Sequence, residues 1–416
     1  MALIYDGESM NMLMLSPIYP FPANTGALVR IANIHEGLCR YHDVTLVCPG
    51  RDVYDDFSKN KIIVIPTRRH TWFHKASALF SDKPYHQNLY FEPLMMEKMR
   101  TLVAAEKFDL IYAHFIYTLP YLLDVKSIPI IVDQQNVDRE YWTRKANSPT
   151  ASLFMRIFAS INTQKTIAFE KKMLKNITGY ISVSSEDCQS TKKYAQKKVR
   201  HFLVAPNGVD TNHYRPGNYA ETPGKLVLGF LGSLDLFINY SAAERLCCRI
   251  LPLVRSLLPD FAISVLLIGR NPPALIRNLT QKDVSISVTG TVDDVYPYLA
   301  TVDVLVLPLE EGAGTKLRVL EAMAAGLPIV GSRLAFNGID GLSDGIHVLY
   351  ALDDNSFTSQ IVELTKNTGK RVDMRQSACK LVQQSYRWDS IVKNLSSDLE
   401  SLVVNFQEEK NNTRSV

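Results

Sequence analysis

Six cysteines (Cys39, Cys48, Cys188, Cys247, Cys248 and Cys379) lie scattered through 416 residues, with no Cys-x-x-Cys pair and no paired histidine spacing. That pattern excludes a disulfide framework and a structural zinc site, and it points to a reducing compartment. No apolar run approaches the ~20 residues that a membrane-crossing helix needs. The opening MALIYDGESMNM carries Asp6 and Glu8 and no basic stretch, so it does not read as a signal peptide. An Asp-x-Asp between hydrophobic strands is missing as well, and no metal site is expected. The expected location is the cytoplasm.

What is present is ordinary for a globular protein: 46% hydrophobic and 21% charged residues, in a chain long enough for two domains. Charge is uneven. Residues 1–200 hold 26 Lys and Arg against 19 Asp and Glu, a net of +7, while the other 216 hold 20 against 23, a net of −3. A basic first half suits peripheral contact with an anionic lipid surface, at the inner face of the membrane, or a phosphate-bearing acceptor; dispersed surface lysines are the commoner cause of such a balance. The basic and aromatic run Arg68–Lys75 is too short to carry nucleic-acid binding and reads as a solvated loop.

The stretch Val302–Ser332, VDVLVLPLEEGAGTKLRVLEAMAAGLPIVGS, organises the rest. The apolar VLVLP has the character of a parallel strand buried on both faces. The turn Glu310–Thr315 contains Gly312 and Gly314 and leads into a helix over about Lys316–Ala325, with Leu317, Leu320, Glu321 and Ala324 on one face. Gly326 and Pro328 stop that helix, and a second buried strand follows. Strand, glycine turn and helix N-terminus together present backbone N–H groups to an anion. Lys316 and Arg318 oppose the helix dipole in the first turn, a placement that suggests an anionic ligand. Glu321, deeper on the helix, is placed as carboxylates are that accept from a ribose diol. Any doubly wound fold has strand–turn–helix units, so spacing alone leaves a plain structural turn open.

The run GAGTKLRVLEAMAAGLPIV resembles the donor-site signature of the family 4 retaining glycosyltransferases, in particular polysaccharide-type bacterial members. The resemblance extends over residues 11–400 and implies the GT-B fold: α/β, with two Rossmann-like doubly wound domains facing each other across a cleft. It implies an acceptor-side domain over residues 1–200, completed by a crossover helix over 388–405. A linker over 201–224 follows that first domain, with Pro-Asn-Gly-Val-Asp at 206–210, where Asn207-Gly208 is expected to make a φ > 0 turn. The donor domain is expected over 225–387 and a disordered polar tail over 406–416. The implied reaction is transfer of a hexosyl unit from a nucleotide-diphosphate sugar to an acceptor hydroxyl, with retention and without a further cofactor. The acceptor is a glycan, a lipid-linked glycan or a small molecule.

Site residues follow from the same likeness. In the first half, NMLMLS (Asn11–Ser16), a stiff Pro-rich turn and a helix over Ala27–Arg40 put Gly26 and Arg30 where the family meets donor phosphates. A helix-capping glycine and a surface arginine are the plain alternative. His114 ends the strand FDLIYAH, where the family carries a catalytic histidine near the donor sugar; a buried structural histidine is the alternative. Asp133, Asn136 and Arg139 follow the next strand, on the acceptor side. The helix over Ser152–Lys175 carries Phe154, Ile157, Phe158 and Ile161 with a basic face of Lys165, Lys171, Lys172 and Lys175. That combination suits docking on an anionic membrane, but one buried apolar face and one solvated face is the simpler account and the one expected.

In the second half, Gly232 and Ser233 follow the strand LVLGFLG, and Arg270 follows FAISVLLIG. The backbone of Gly290–Val292, with Thr291 and Val292, is placed to read a nucleobase. Two departures from the family stand out. Ser233 and Asn239 replace an arginine and a lysine that usually grip the diphosphate, which leaves that charge to Lys316, Arg318, Arg270 and the amides of Gly314 and Thr315. Ala313 replaces the first glutamate of the Glu-x7-Glu pattern, with Glu310 and Glu311 the neighbouring carboxylates. Both departures favour the alternative of a catalytically silent partner subunit; a nucleotide-sugar epimerase of similar fold is the other.

Overall fold

A computed structural model describes residues 9–50, 61–67, 81–148, 151–195, 199–217, 223–311 and 317–414. The chain forms two compact units, one of residues 1–206 and 388–416 and the other of residues 207–387.

The first unit holds a seven-stranded parallel sheet in the order β3-β2-β1-β4-β5-β6-β7. Its strands are β1 (Asn11–Leu15), β2 (Asp43–Gly50), β3 (Lys61–Pro66), β4 (Leu110–His114), β5 (Ile130–Gln134), β6 (Gly179–Ser182) and β7 (His201–Val204). Near-continuous apolar runs such as NMLML and LIYAH are buried on both faces, as a parallel sheet covered by helices requires. One face packs Leu13, Ile111 and Val132 against the helix Pro93–Ala105 and its neighbours. The other packs Met12, Ile34 and Leu110 against Ile391, Leu395 and Leu399 of the last helix, Trp388–Arg414. There Gly37 lets two helices close up, since a Cβ on it would stand 2.7 Å from Val392 Cγ2.

The second unit repeats the plan with six parallel strands in the order β10-β9-β8-β11-β12-β13. They are β8 (Lys225–Leu231), β9 (Ala262–Ile268), β10 (Ile286–Val288), β11 (Val304–Leu307), β12 (Ile329–Gly331) and β13 (Leu349–Tyr350). In both sheets the strand order reverses once, between β1 and β4 and between β8 and β11. Ligands of open α/β sheets gather beyond the carboxyl ends of strands at such reversals.

Three expectations change. Residues 201–206 belong to the first unit, because His201–Val204 pairs with β6 as an edge strand rather than starting a linker. Gly208 is not among the glycines with positive φ, and Val209 bridges to Arg387 where the chain returns. The last helix runs on to Arg414 instead of ending before a disordered tail. Lys410 Nζ donates to Ser127 O at 3.2 Å and Glu409 ion-pairs with Arg200, contacts distant in sequence that hold the polar extension.

Candidate functional site

In the second unit, Gly232 and Ser233 leave the end of β8, and the helix Leu317–Ala324 begins beyond β11, on the other side of the reversal. Residues Gly312, Ala313, Gly314, Thr315 and Lys316, all expected at the donor, lie outside the described residues. Arg318 is the second residue of the helix. Its Nη1 donates to Leu231 O at 2.7 Å and to Asn239 Oδ1 at 3.0 Å, which lays the guanidinium across the end of β8. Only a glycine at 232 permits this, since a Cβ there would stand 2.5 Å from Nη1. Asn239 is buried, and its Nδ2 donates to Ser233 O at 2.8 Å, so one carboxamide ties the β8 loop to the arginine. Burial lowers the Arg318 pKa to about 10, against the pull of Glu321; the group stays cationic at neutral pH.

Arg270 leaves the end of β9, next in the sheet. Its backbone carbonyl accepts from Leu234 N at 3.0 Å, and its Nε makes no hydrogen bond, with Asp235 Oδ2 at 3.8 Å. Two arginines therefore stand at the carboxyl ends of adjacent strands, a placement that suits a diphosphate. Glu310, one of the carboxylates near Ala313, is held by Arg245 at 3.2 Å, which in turn holds Asp354 at 2.7 Å.

Glu321 sits three residues beyond Arg318, on the same helical face. Burial raises its carboxyl pKa to about 7, opposed by Arg318 and by a hydrogen bond from the Tyr214 hydroxyl. That tyrosine belongs to a small cluster: its ring meets His213 at 4.8 Å and Tyr296 at 5.8 Å, and His213 Nε2 lies 3.0 Å from Asp294 Oδ1. Thr291 is exposed and Val292 half-buried just before this cluster, following Gly290 at φ +72°. Tyr214 carries no sequence signal for this role, and Asn239, singled out in the sequence only as a departure from the family's basic residues, carries none for its bond to Arg318. Tyr214 lies near the start of the second unit, before β8, and nothing in its spacing indicates a partner 107 residues on.

The first unit arranges its expected site residues otherwise. Arg30, on the helix Gly26–Leu38, directs Nε and Nη2 at Asp133 in a fork of 2.8 to 3.1 Å. The Tyr112 hydroxyl donates to Asp133 Oδ2 at 2.9 Å, and His114 Nδ1 lies 3.3 Å from the same oxygen. Arg30, Tyr112, His114 and Asp133 have no exposed surface. The substrate contacts expected of Arg30, His114 and Asp133 are thus not offered to solvent in this structure. A guanidinium four residues into a helix that turns this face to the sheet has to be neutralised, and the nearest strand end supplies the carboxylate. His114 Nε2 makes no hydrogen bond, and burial lowers the ring's pKa while Asp133, beside Nδ1, pulls it back up.

Arg139 is also engaged, with Nη1 on Glu170 at 3.0 Å, Nη2 on Ser190 at 2.9 Å and its guanidinium 4.3 Å from the Tyr194 ring centroid. Asn136 is half-buried, and Gly26 is exposed at the start of its helix. Beside them stands a group of rings that sequence reasoning overlooked. His86 has Tyr117, Tyr141 and Trp142 within 5.6 to 6.4 Å of its ring, and Asp138 Oδ2 at 3.4 Å from Nδ1. Tyr117 follows β4, and the others follow β5 or precede the sheet's covering helices. Among the described residues, no group of three or more His, Cys, Asp or Glu is placed to hold a metal ion.

Comparisons with known proteins agree with this architecture. Residues 25–213 match the model described as Glycosyltransferase Family 4, and residues 225–367 the one described as Glycosyl transferases group 1. An uncharacterized 44.6 kDa protein in the cps region of Klebsiella pneumoniae is 21% identical over 391 residues, spanning 90% of this chain and 96% of that protein. Sucrose-phosphate synthase from Thermosynechococcus elongatus is similar in structure, with a TM-score of 0.71 at 16% identity, over 94% of this chain and 98% of that one. HepE from Anabaena, in complex with UDP and glucose, gives a TM-score of 0.62 at 14% identity, over 94% of this chain and all of that one. Two parallel-sheet units and whole-length structural likeness give the GT-B fold, and each unit matches a glycosyltransferase model, which supports a glycosyltransferase of the family 4 type.

Proposed function

We propose that this protein transfers a hexosyl unit from a nucleoside diphosphate sugar to an acceptor hydroxyl with retention of anomeric configuration, in the assembly of a polysaccharide, glycolipid or natural product. The observation that carries the reading is the Arg318 guanidinium lying across the end of β8 against Gly232, three residues before Glu321. A diphosphate beyond that strand end is met by Arg318 and Arg270. Glu321 accepts from the ribose diol, and Thr291 and Val292 line the base. HepE, a neighbour with UDP and glucose bound, makes uridine the first base to try.

As the C1–O bond to the diphosphate breaks, the bond from C1 to the acceptor oxygen forms on the same face. The acceptor proton passes to a leaving phosphate oxygen. The protein's part is to hold the charge that develops on that group. His114 keeps a place in this reading through Nε2, which makes no hydrogen bond and which a sugar hydroxyl would satisfy. Gly26, Asn136 and the rings about His86 stand beyond the first sheet, and aromatic faces of that kind stack on an acceptor sugar. The basic first half brings the enzyme to an anionic lipid surface on the cytoplasmic side.

Thermal stabilisation by UDP, GDP, ADP and TDP, repeated with Glu321→Ala, tests the donor site. A ligand at 100 times its dissociation constant adds about 2.7 kcal/mol to the folded state. One nucleotide should stabilise the wild type and not the variant; none doing so sinks the reading. Proton NMR of the product's anomeric signal then decides between retention and inversion. A catalytically silent subunit is the second reading, favoured by Ala313 and by Arg245 holding Glu310. Nucleotide binding without hydrolysis or transfer of the sugar would establish it.

A further inference from the structure

The helix Leu153–Met173 is turned inside out. Its buried residues include Asn162, Thr163, Thr166 and Glu170, whereas Leu153, Phe154, Ile157 and Ile161 are 71, 70, 53 and 49% exposed. The expectation that its apolar face is buried is therefore reversed. Specific bonds hold it so: Asn162 Oδ1 accepts from Tyr85 N at 3.0 Å, Glu170 pairs with Arg139 at 3.0 Å, and Ser152 caps the start by accepting from Met155 N. Rotating the helix to hide the apolar residues would break each of these and strand a carboxylate.

The exposed stripe changes character along its length. Leu153, Ile157 and Ile161 lead by i, i+4 steps towards Lys171, Lys172 and Lys175, which are exposed on the same side. Over Leu153–Asn176 there are five Lys and Arg and a single acid, Glu170, which is buried. An apolar ridge with a basic flank and no exposed acid has the complement of a bilayer surface, with acyl chains beneath anionic headgroups. Pairing with a second copy would bring two such basic faces together, which charge opposes. No described helix is long and apolar enough to cross a membrane, so the helix would lie along one.

We propose that this face docks the protein on an anionic lipid surface, with Leu153, Phe154, Ile157 and Ile161 inserted at the headgroup boundary and Lys171, Lys172 and Lys175 paired with headgroup phosphates. This rests on the lipid-surface part of the reading above and not on its donor chemistry.

The test is flotation of the full chain with vesicles of equal parts phosphatidylglycerol and phosphatidylcholine, against phosphatidylcholine alone, without donor or acceptor. The wild type should float with the mixed vesicles only. Phe154→Ser with Ile157→Ser should cut the partition at least about tenfold, with at most a small drop in melting temperature, since the two residues are 70 and 53% exposed. Lys171→Gln with Lys172→Gln should cut it about thirty-fold, at about 1 kcal/mol per charge, and salt should do likewise. No flotation, equal flotation with phosphatidylcholine alone, or a dimer that the serine variant dissolves would each overturn the proposal. UDP stabilisation, read on the same samples, reports the donor site separately.

Discussion

Arg30 and Asp133 meet through three N–H···O contacts of 2.8 to 3.1 Å, with no exposed surface on either residue. The pairing holds the Asp133 carboxyl well below the usual carboxylate range, with His114 adding to the effect and burial opposing it. Removing one partner leaves an uncompensated buried charge. Arg30→Met is expected to cost about 3–5 kcal/mol in urea denaturation, and the double variant Arg30→Met/Asp133→Leu less than the sum of the singles. Additive costs would show that the two residues act independently. Because the folded pKa is depressed, the stability this pair lends is present above the unfolded value of about 3.9 and drains only as pH falls through the lower folded value.

Glu321 shifts the other way. Its folded pKa of about 7 lies above the unfolded carboxylate value, so its contribution to stability is whole below about pH 4.3 and lost as pH rises through about 7. Ribose donors favour the ionised form, so UDP affinity should increase with pH up to about 7 and level off above it. Calorimetric titration across that range would show the rise in the wild type and its absence in Glu321→Gln. An identical profile in both would remove Glu321 from the ribose.

The Tyr214 hydroxyl lowers the Glu321 pKa by its hydrogen bond. Tyr214→Phe should therefore move the midpoint of that affinity profile to higher pH while leaving the ring packing with His213 and Tyr296 in place. A midpoint that stays put or falls would mean that the hydroxyl does not act on the carboxyl group.

Gly232→Ala would drive a methyl into the Arg318 guanidinium and the Asn239 carboxamide. Losing one charge-assisted hydrogen bond to the diphosphate is worth about 1.5–3 kcal/mol, so UDP should bind roughly ten- to a hundredfold more weakly. Circular dichroism should remain that of the wild type. Unchanged UDP affinity would place the diphosphate elsewhere.

Much of this was written in local pattern. Runs such as NMLML and VLVLP announce buried parallel strands because such strands need apolar side chains on both faces, and the alternation with helices then leaves few topologies. The signature GAGTKLRVLEA put Arg318 in the first turn of a helix and Glu321 deeper on it by its spacing alone. Other features depend on partners far off in sequence, and only the tertiary structure decided them. Arg30 looked like a cleft arginine until packing brought Asp133, 103 residues away, against it. Asn239 and Tyr214 acquired roles only because loops from separate strands meet at one end of the second sheet. The Leu153–Met173 helix shows the limit most plainly. Periodicity gave its apolar and polar faces, but which face turns inward was settled by Tyr85 and Arg139, whose backbone and guanidinium groups needed the polar side.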